Sequence, residues 1–270
     1  MIGRAYGWEI RKLLHQKRTF AGLIAAVIYA LAFVVVFRLR SDAALPPDIP
    51  LASQVKDTAA VLPLALLSFA TFFGAPVLAS LVPGDIVASE DSNNTLKMIL
   101  TRSAGRGTIY VAKALASATY GIVLVATLLI TSLAGSTIAF GVHPATLVDG
   151  TVVSGAHAVG LTALAYTAYL LPIAVLVSVA LFLSTVTRNA AAAIIGTVLF
   201  SLTLEGIAAL PGFSSASPYL LPAQYNAWQS LFSETTDASI TRSAIVCAVY
   251  VAVPLIAGWI VFRRRDVAGA

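Results

Sequence analysis

The sequence predicts an all-α integral membrane protein with six transmembrane helices. Of its 270 residues, 59% are hydrophobic and only 11% are charged, whereas about 25% of the residues in a soluble domain are charged. The mean hydropathy is +0.89. The apolar residues are gathered into long stretches, and an α-helix needs about 20 such residues to cross a bilayer. We therefore count transmembrane helices instead of soluble domains.

Six apolar stretches predict the spans of a single transmembrane domain over residues 1–270. They lie at about 20–37, 59–82, 109–140, 157–186, 190–210 and 244–262. The third and fourth stretches are longer than a bilayer requires, so we expect them to extend beyond it. Prolines inside the spans are expected to kink the helices without ending them, since neighbouring helices can satisfy the freed carbonyls. These prolines are Pro63, Pro76, Pro172 and Pro254.

Residues 5–18 predict an amphipathic helix that lies in the membrane interface before the first span. Its apolar face carries Tyr6, Ile10, Leu13 and Leu14. Its opposite face carries Arg4, Arg11, His15 and Arg18. The alternative is a basic tail that only fixes the topology of the first span.

The basic residues predict the orientation of the six spans. Most of the lysines and arginines fall on the side that holds both termini and residues 84–113, while acids outnumber bases on the other side. Because lysine and arginine are retained in the cytoplasm, we expect a multi-pass protein of the plasma membrane, of bacterial type, with both termini cytoplasmic. The net charge of +5 then reflects topology and attraction to anionic lipid headgroups, and we predict no nucleic-acid partner.

The polar stretch between the second and third spans, "GDIVASEDSNNTLKMILTRSAGRGTIYVAK" at 84–113, is predicted to leave the membrane. Each charged residue at the centre of a spanning helix would cost about 2.5–3.5 kcal/mol. Within the stretch, Leu96, Ile99 and Leu100 share one face of a short helix. Such a helix needs a surface to pack against. That surface is either the inner ends of the protein's own helices, the headgroups, or a groove on a soluble partner.

The segment before the last span, "PGFSSASPYLLPAQYNAWQSLF" at 211–232, combines prolines with aromatic residues. Two interpretations remain open. The segment either dips partly into the outer interface as a re-entrant element, or forms an external loop with an aromatic belt.

The sequence contains no motif for catalysis or metal binding. It lacks a GxxxxGK(S/T) phosphate-binding loop and an HExxH motif, and its one cysteine, Cys247, has no second thiol to pair with. We therefore predict no enzyme activity, catalytic residue, cofactor or metal site on this chain. Glu205, near the outer end of the fifth span, is either part of a substrate or ion path or a helix-end carboxylate.

Several short stretches follow one another in a characteristic order. Glu90 precedes Asn94-Thr95, then "LKMIL", "TRSAGR" at 101–106 and "VAK" ending at Lys113. They are followed by "STVTRNAAA" at 184–192, "SPYLLPAQY" at 217–225 and "FRRRD" at 262–266. In this order the chain resembles the membrane subunit of an ABC type-2 permease over nearly its whole length. Asn94, Ala104 and Ala112 depart from that family's usual glycine, proline and glycine, so each single motif is loose.

The resemblance implies partners that this chain does not itself contain. They are two copies of a cytoplasmic ATP-binding cassette ATPase, which carry ATP and Mg, and a second permease chain in a homo- or heterodimer. The helix at 94–102, the predicted coupling helix, would sit in a cleft of the ATPase. The implied ATPase contacts are Glu90, Asp91, Thr95, Leu96, Ile99, Leu100, Arg102, Arg106 and, on the first helix, Arg11.

The resemblance also implies a substrate path lined by spans two and five. Candidate contacts for an apolar substrate are Phe69, Phe72, Phe73 and Phe200, and each could equally face lipid or pack internally. Glu205 joins the candidate path as an ionisable residue near membrane depth. Ala192 and Gly196 form a small-residue pair that could seat a helix of the dimer.

The function that follows is an ATP-driven exporter permease for a hydrophobic or amphipathic substrate such as a drug, antibiotic, peptide or lipid. The alternatives are a transporter driven by an ion gradient, which should show charged residues at mid-span, and a non-transporting scaffold or immunity protein.

Overall fold

The computed structural model describes residues 2–39, 58–93, 105–146, 151–232 and 237–264. Its main helices are α1 (Ile2–Leu13), α2 (Lys17–Leu39), α3 (Val61–Ala70), α4 (Gly74–Asp85), α5 (Ala88–Ser92), α6 (Arg106–Phe140), α7 (Gly155–Thr187), α8 (Ala190–Ala208), α9 (Leu221–Tyr225) and α10 (Asp237–Arg264). Short 3₁₀ turns lie at Pro211–Phe213, Ser217–Tyr219 and Ala227–Phe232. Two strands, β1 (Ala145–Thr146) and β2 (Val152–Val153), pair antiparallel.

The prediction of an all-α multi-pass membrane protein is confirmed by helix length and hydropathy. Among the described residues, five helices can cross a membrane: Lys17–Leu39, Arg106–Phe140, Gly155–Thr187, Ala190–Ala208 and Ile240–Arg264. A sixth crossing is formed if α3 and α4 count as one span, in which the helix axis bends by 67° between them. These six units correspond to the six predicted stretches, with ends that differ by a few residues.

The bend in the second span falls between its prolines. Pro63 is the third residue of α3 and Pro76 the third residue of α4, so both occupy a first turn, where the missing N–H has no intrahelical acceptor. The chain bends instead at 71–73, where the hydroxyl of Thr71 donates to the carbonyl of Leu67 at 3.0 Å. The kinks expected at Pro63 and Pro76 are thus replaced by one break between them. Pro172 lies inside the continuous helix α7 and Pro254 inside α10.

The helix α7 is the centre of the bundle, and α4, α6, α8 and α10 all pack against it. Two buried tyrosines of α7 fasten the bent span: the hydroxyl of Tyr166 donates to the carbonyl of Pro63 at 3.0 Å, and that of Tyr169 to the carbonyl of Leu67 at 3.4 Å. Helix α2 packs closely against α6 at Gly22. A Cβ at Gly22 would lie 2.3 Å from the Tyr120 hydroxyl, so any larger residue there would force the Tyr120 side chain to move.

The N-terminal helix α1 ends earlier than predicted. It stops at Leu13 instead of residue 18, and α2 begins at Lys17 after a short turn. Leu13 is buried, whereas Leu14, expected on the same apolar face, is 58% exposed. The apolar face of α1, with Tyr6 and Ile10, packs against the bundle, mainly on α6. The helix is therefore held by the protein's own core as well as by any membrane surface.

Contacts at the two ends of the bundle show that successive spans run in opposite directions. At one end, the ion pairs of Arg18 with Asp85 and of Arg188 with Asp91 bring together the start of α2, the end of α4, α5 and the α7–α8 turn. At the other end, the amide of Ala59 donates to the carbonyl of Gly141 at 3.0 Å. The first of these ends is the one that the charge distribution predicts to be cytoplasmic.

The aromatic segment before α10 packs into the bundle. Tyr225, Trp228 and Phe232 are buried. The ring of Tyr225 lies 5.8 Å from that of Tyr169, and its hydroxyl lies 3.3 Å from that of Ser201. Phe213 and Tyr219 are exposed. The segment therefore has a packed aromatic core and an exposed start, which is compatible with the re-entrant interpretation and leaves its depth in the membrane a prediction.

Candidate functional site

The charged residues at the end of the bundle that holds α1 form a buried ionic cluster, which we define as Glu9, Lys12, Glu90 and Lys113. Three elements supply it: α1 contributes Glu9 and Lys12, α5 contributes Glu90, and the first third of α6 contributes Lys113. Glu9 and Lys113 each lie on the buried stripe of their helix, Glu9 beside Leu13 and Lys113 beside Ile109 and Ala116.

Lys113 is the centre of the ionic cluster. Its side chain is 0% exposed. Its ammonium nitrogen lies 2.8 Å from Oε1 of Glu9 and 2.7 Å from Oε2 of Glu90, and it donates to the carbonyl of Ile86 at 3.1 Å. The ammonium therefore has two carboxylate oxygens at ion-pair distance and one backbone carbonyl as a hydrogen-bond acceptor.

The two carboxylates of the cluster are almost as deeply buried as the lysine. The side chain of Glu9 is 2% exposed and that of Glu90 3%. Glu90 also pairs with Lys12, whose side chain reaches the surface at 23% exposure. The cluster thus balances two positive against two negative charges. Removing charges from water costs several kcal/mol each, and only close pairing with further hydrogen bonds offsets that cost.

Further ion pairs surround the cluster and extend it to other helices. Asp85 at the end of α4 pairs with Arg18 of α2. Asp91 of α5 lies 3.4 Å from Nε of Arg188, which has a left-handed φ of 56° in the α7–α8 turn. The amide of Ala88 donates to Oγ of Ser184 at 3.1 Å. The short helix α5 is therefore fixed to α1, α6 and α7, and α4 leads into it.

Part of the predicted ATPase contact lies outside the described residues. Thr95, Leu96, Ile99, Leu100 and Arg102, the core of the predicted coupling helix, fall in residues 94–104, of which the structure describes nothing. Of the flanking residues, Glu90 and Asp91 make the ion pairs given above. Arg106 donates to the carbonyl of Arg263 at 3.1 Å. Arg11 is exposed on α1.

The predicted substrate-path residues on spans two and five contact different helices of the bundle. Phe69, Phe72 and Phe73 surround the break between α3 and α4 and are 42%, 53% and 61% exposed. The ring of Phe69 contacts that of Phe33 on α2 at 5.5 Å, whereas that of Phe200 contacts Tyr250 on α10 at 6.4 Å.

Glu205 is half-buried on α8. The described contacts do not join it and these phenylalanines into one cavity, and their role in transport stays a prediction.

The two residues of the predicted dimer-packing pair have different surroundings. Ala192 is exposed at the start of α8. Gly196 faces the chain's own α7, because a Cβ there would lie 2.9 Å from Cδ1 of Leu183. Gly196 thus allows a close contact within the chain, while Ala192 remains a candidate for contact with a second chain.

Three residues of the ionic cluster, Glu9, Lys12 and Lys113, were not among the predicted site residues. The sequence does contain a signal for Glu9 and Lys113. Glu9 follows Tyr6 by three positions and precedes Leu13 by four, which puts an acid on the apolar face of α1. Lys113 is spaced in the same way from Tyr110 and Ser117, both buried. An acid and a base on two buried faces are expected to pair.

The fold and this cluster together define a multi-pass helical membrane protein with a cluster of ion-paired residues at one end of its helix bundle. The chain belongs to the family described as "Protein of unknown function (DUF2705)", which matches residues 49–268. Among curated proteins, none matches the chain.

Proposed function

We propose that the chain is the permease subunit of an ATP-driven exporter. It would move a hydrophobic or amphipathic substrate, such as a drug, antibiotic, peptide or lipid, out across the plasma membrane by alternating access. Two copies of a separate ATPase would supply ATP hydrolysis with Mg, and a second permease chain would complete the transporter. The observation that carries the proposal is the fixation of α5, immediately before the predicted coupling helix, to three other helices.

The contacts of α5 support a role in transmitting movement. The predicted coupling helix at 94–102 can move the helix bundle only if the adjoining segment α5 is held firmly, since a flexible connection would absorb the movement. Glu90 is ion-paired to α1 and α6, and Ala88 is hydrogen-bonded to α7. Movement of residues 94–102 would therefore be passed to α7, the central helix of the bundle, and to α6.

The bent span supports a route for the conformational change. Helix α4 runs from the break at 71–73 to Asp85, which is next to α5. Such a break lets α3 and α4 change their angle as two rigid pieces, which is one of the ordinary ways that proteins switch between states. The exposed Phe69, Phe72 and Phe73 lie at this break, where an apolar substrate would meet them.

The proposal is tested by the ATPase activity of the purified complex. The chain is tagged, expressed in its native host at its natural level, and purified in mild detergent. We expect a stoichiometric partner with a GxxxxGK(S/T) motif, and ATP hydrolysis that is lost when the lysine of that motif is replaced. If the chain purified from intact membranes without any nucleotide-binding partner, the proposal would be contradicted. That result would favour a scaffold or an ion-driven transporter.

A further inference from the structure

An open cavity of about 450 Å³, lined by polar and charged residues, lies at the junction of α1 and α2, beside the end of α4 and α5. This volume is within the range of small-molecule sites, about 300–1,000 Å³. Its charged lining consists of the basic residues Lys12, Lys17 and Arg18 and the acidic residues Asp85 and Glu90, and the rest of the described lining is uncharged and polar. The cavity is next to the ionic cluster but shares only Lys12 and Glu90 with it.

The charges of the cavity leave a positive surplus. Lys12 is paired with Glu90, and Arg18 with Asp85. Lys17 is exposed, and none of the carboxylates in the described ranges pairs with it. Two acids and two of the three bases therefore cancel, and Lys17 offers the ammonium that remains. An anion with one negative charge fits this balance.

The position of Lys17 joins the cavity to an apolar surface. Lys17 is the first residue of α2, a helix that is long and apolar enough to cross a membrane. Directly after it, Phe20, Ile24 and Ile28 follow at helical spacing and are 48%, 57% and 61% exposed. A ligand that places its anion on Lys17 can therefore run an apolar chain along this face of α2. A phospholipid has this combination, whereas a free phosphate would leave the apolar strip unused.

We propose that the cavity binds the headgroup of an anionic phospholipid. Its phosphodiester lies on Lys17, hydroxyls of a glycerol headgroup bond to the uncharged polar lining, and its acyl chains run along Phe20, Ile24 and Ile28. The site is independent of the transport function proposed above, because it needs neither an ATPase nor a substrate. A bound lipid would fasten α1 to α2 next to the ionic cluster.

The test is native mass spectrometry of the full-length chain in detergent, titrated with phosphatidylglycerol or phosphatidylcholine of the same acyl chains. We expect one phosphatidylglycerol per chain to be retained preferentially. Lys17→Gln should weaken this binding about fivefold, since a basic side chain at an anionic lipid surface contributes about 1 kcal/mol. Arg4→Gln is the matched control: it removes the same charge from the exposed part of α1, outside the described lining of the cavity, and should leave the affinity unchanged.

A second variant tests the cavity without changing its charge. Asn93→Trp adds bulk to the lining at the exposed end of α5 and should also reduce retention of phosphatidylglycerol. Equal losses for Lys17→Gln and Arg4→Gln would mean general surface attraction and would overturn the proposal, as would equal retention of phosphatidylcholine. Inorganic phosphate is added in a separate titration. Displacement of the lipid by inorganic phosphate at equal concentration would assign the site to a free anion and overturn the lipid assignment.

Discussion

Lys113→Met is expected to lower the free energy of unfolding by about 3–5 kcal/mol, because removing one partner of a buried ion pair leaves an uncompensated charge behind. Lys113 is the centre of the ionic cluster and has no exposed surface. In its absence Glu9, which is 2% exposed and pairs with Lys113, keeps a buried charge without an ion-pair partner among the described residues. Glu90 retains Lys12. The change is measured by denaturant unfolding of the purified chain in mixed micelles.

Two further variants separate this effect from a general loss of charge or length. Arg4→Met removes a charge from an exposed basic residue of α1 and should cost less than about 0.5 kcal/mol. The double variant Glu9→Gln/Lys113→Met should recover part of the lost stability, because it removes the charge that Lys113 leaves behind. Equal destabilisation by Lys113→Met and Arg4→Met would mean that the cluster does not contribute as described.

The double variant Leu96→Asp/Leu100→Asp is expected to abolish ATP hydrolysis that is coupled to the permease. The two leucines are on the apolar face of the predicted coupling helix, and an aspartate buried there against a partner would cost several kcal/mol without a matching charge. Since each 1.4 kcal/mol changes an equilibrium constant tenfold, partner affinity should fall by more than about tenfold. Copurified ATPase protein and its activity are measured together.

The control for this variant is Val152→Asp, at the opposite end of the bundle. Val152 is 71% exposed in β2, so a charge there is added without burial. It should leave the partner and its activity in place, and both variants should still insert into the membrane fraction. Normal coupled hydrolysis in the leucine variant would mean that the contact lies on another segment.

The sequence predicts the helices of this protein well because hydropathy and length determine them. The stretches at 109–140 and 157–186 correspond to α6 and α7 within a few residues. The break at 71–73 is not visible in the same way. Prolines suggest kinks, but Pro63 and Pro76 both stand at the beginning of a helix, where they are favourable. The hydrogen bonds of Tyr166 and Tyr169 to α3 join residues about 100 positions apart and are not visible in the sequence.

The ionic cluster is harder to predict because its pairs are distant in sequence. Glu9 and Lys113 are far apart in the chain, and each has a simpler interpretation alone: Glu9 as one charge of an amphipathic helix, and Lys113 as a basic residue that fixes topology. Glu90 was predicted as a contact for a partner, and its packing against Lys113 could not be derived without knowing that α1 and α5 meet on α6. The sequence can place Glu9 and Lys113 on buried helix faces, but only the three-dimensional arrangement brings them together with Glu90 and Lys12.

The proposed function depends on residues 94–102 being held from the cytoplasm by a nucleotide-driven partner. Photo-crosslinking tests it most directly, with a benzophenone amino acid at position 99 and, as control, at position 152 on the opposite end of the bundle. In intact cells of the native host, position 99 is predicted to yield an adduct that contains a GxxxxGK(S/T) protein, and position 152 is not. An adduct with an exterior protein from position 99, or no adduct beyond that of position 152, would contradict the claim.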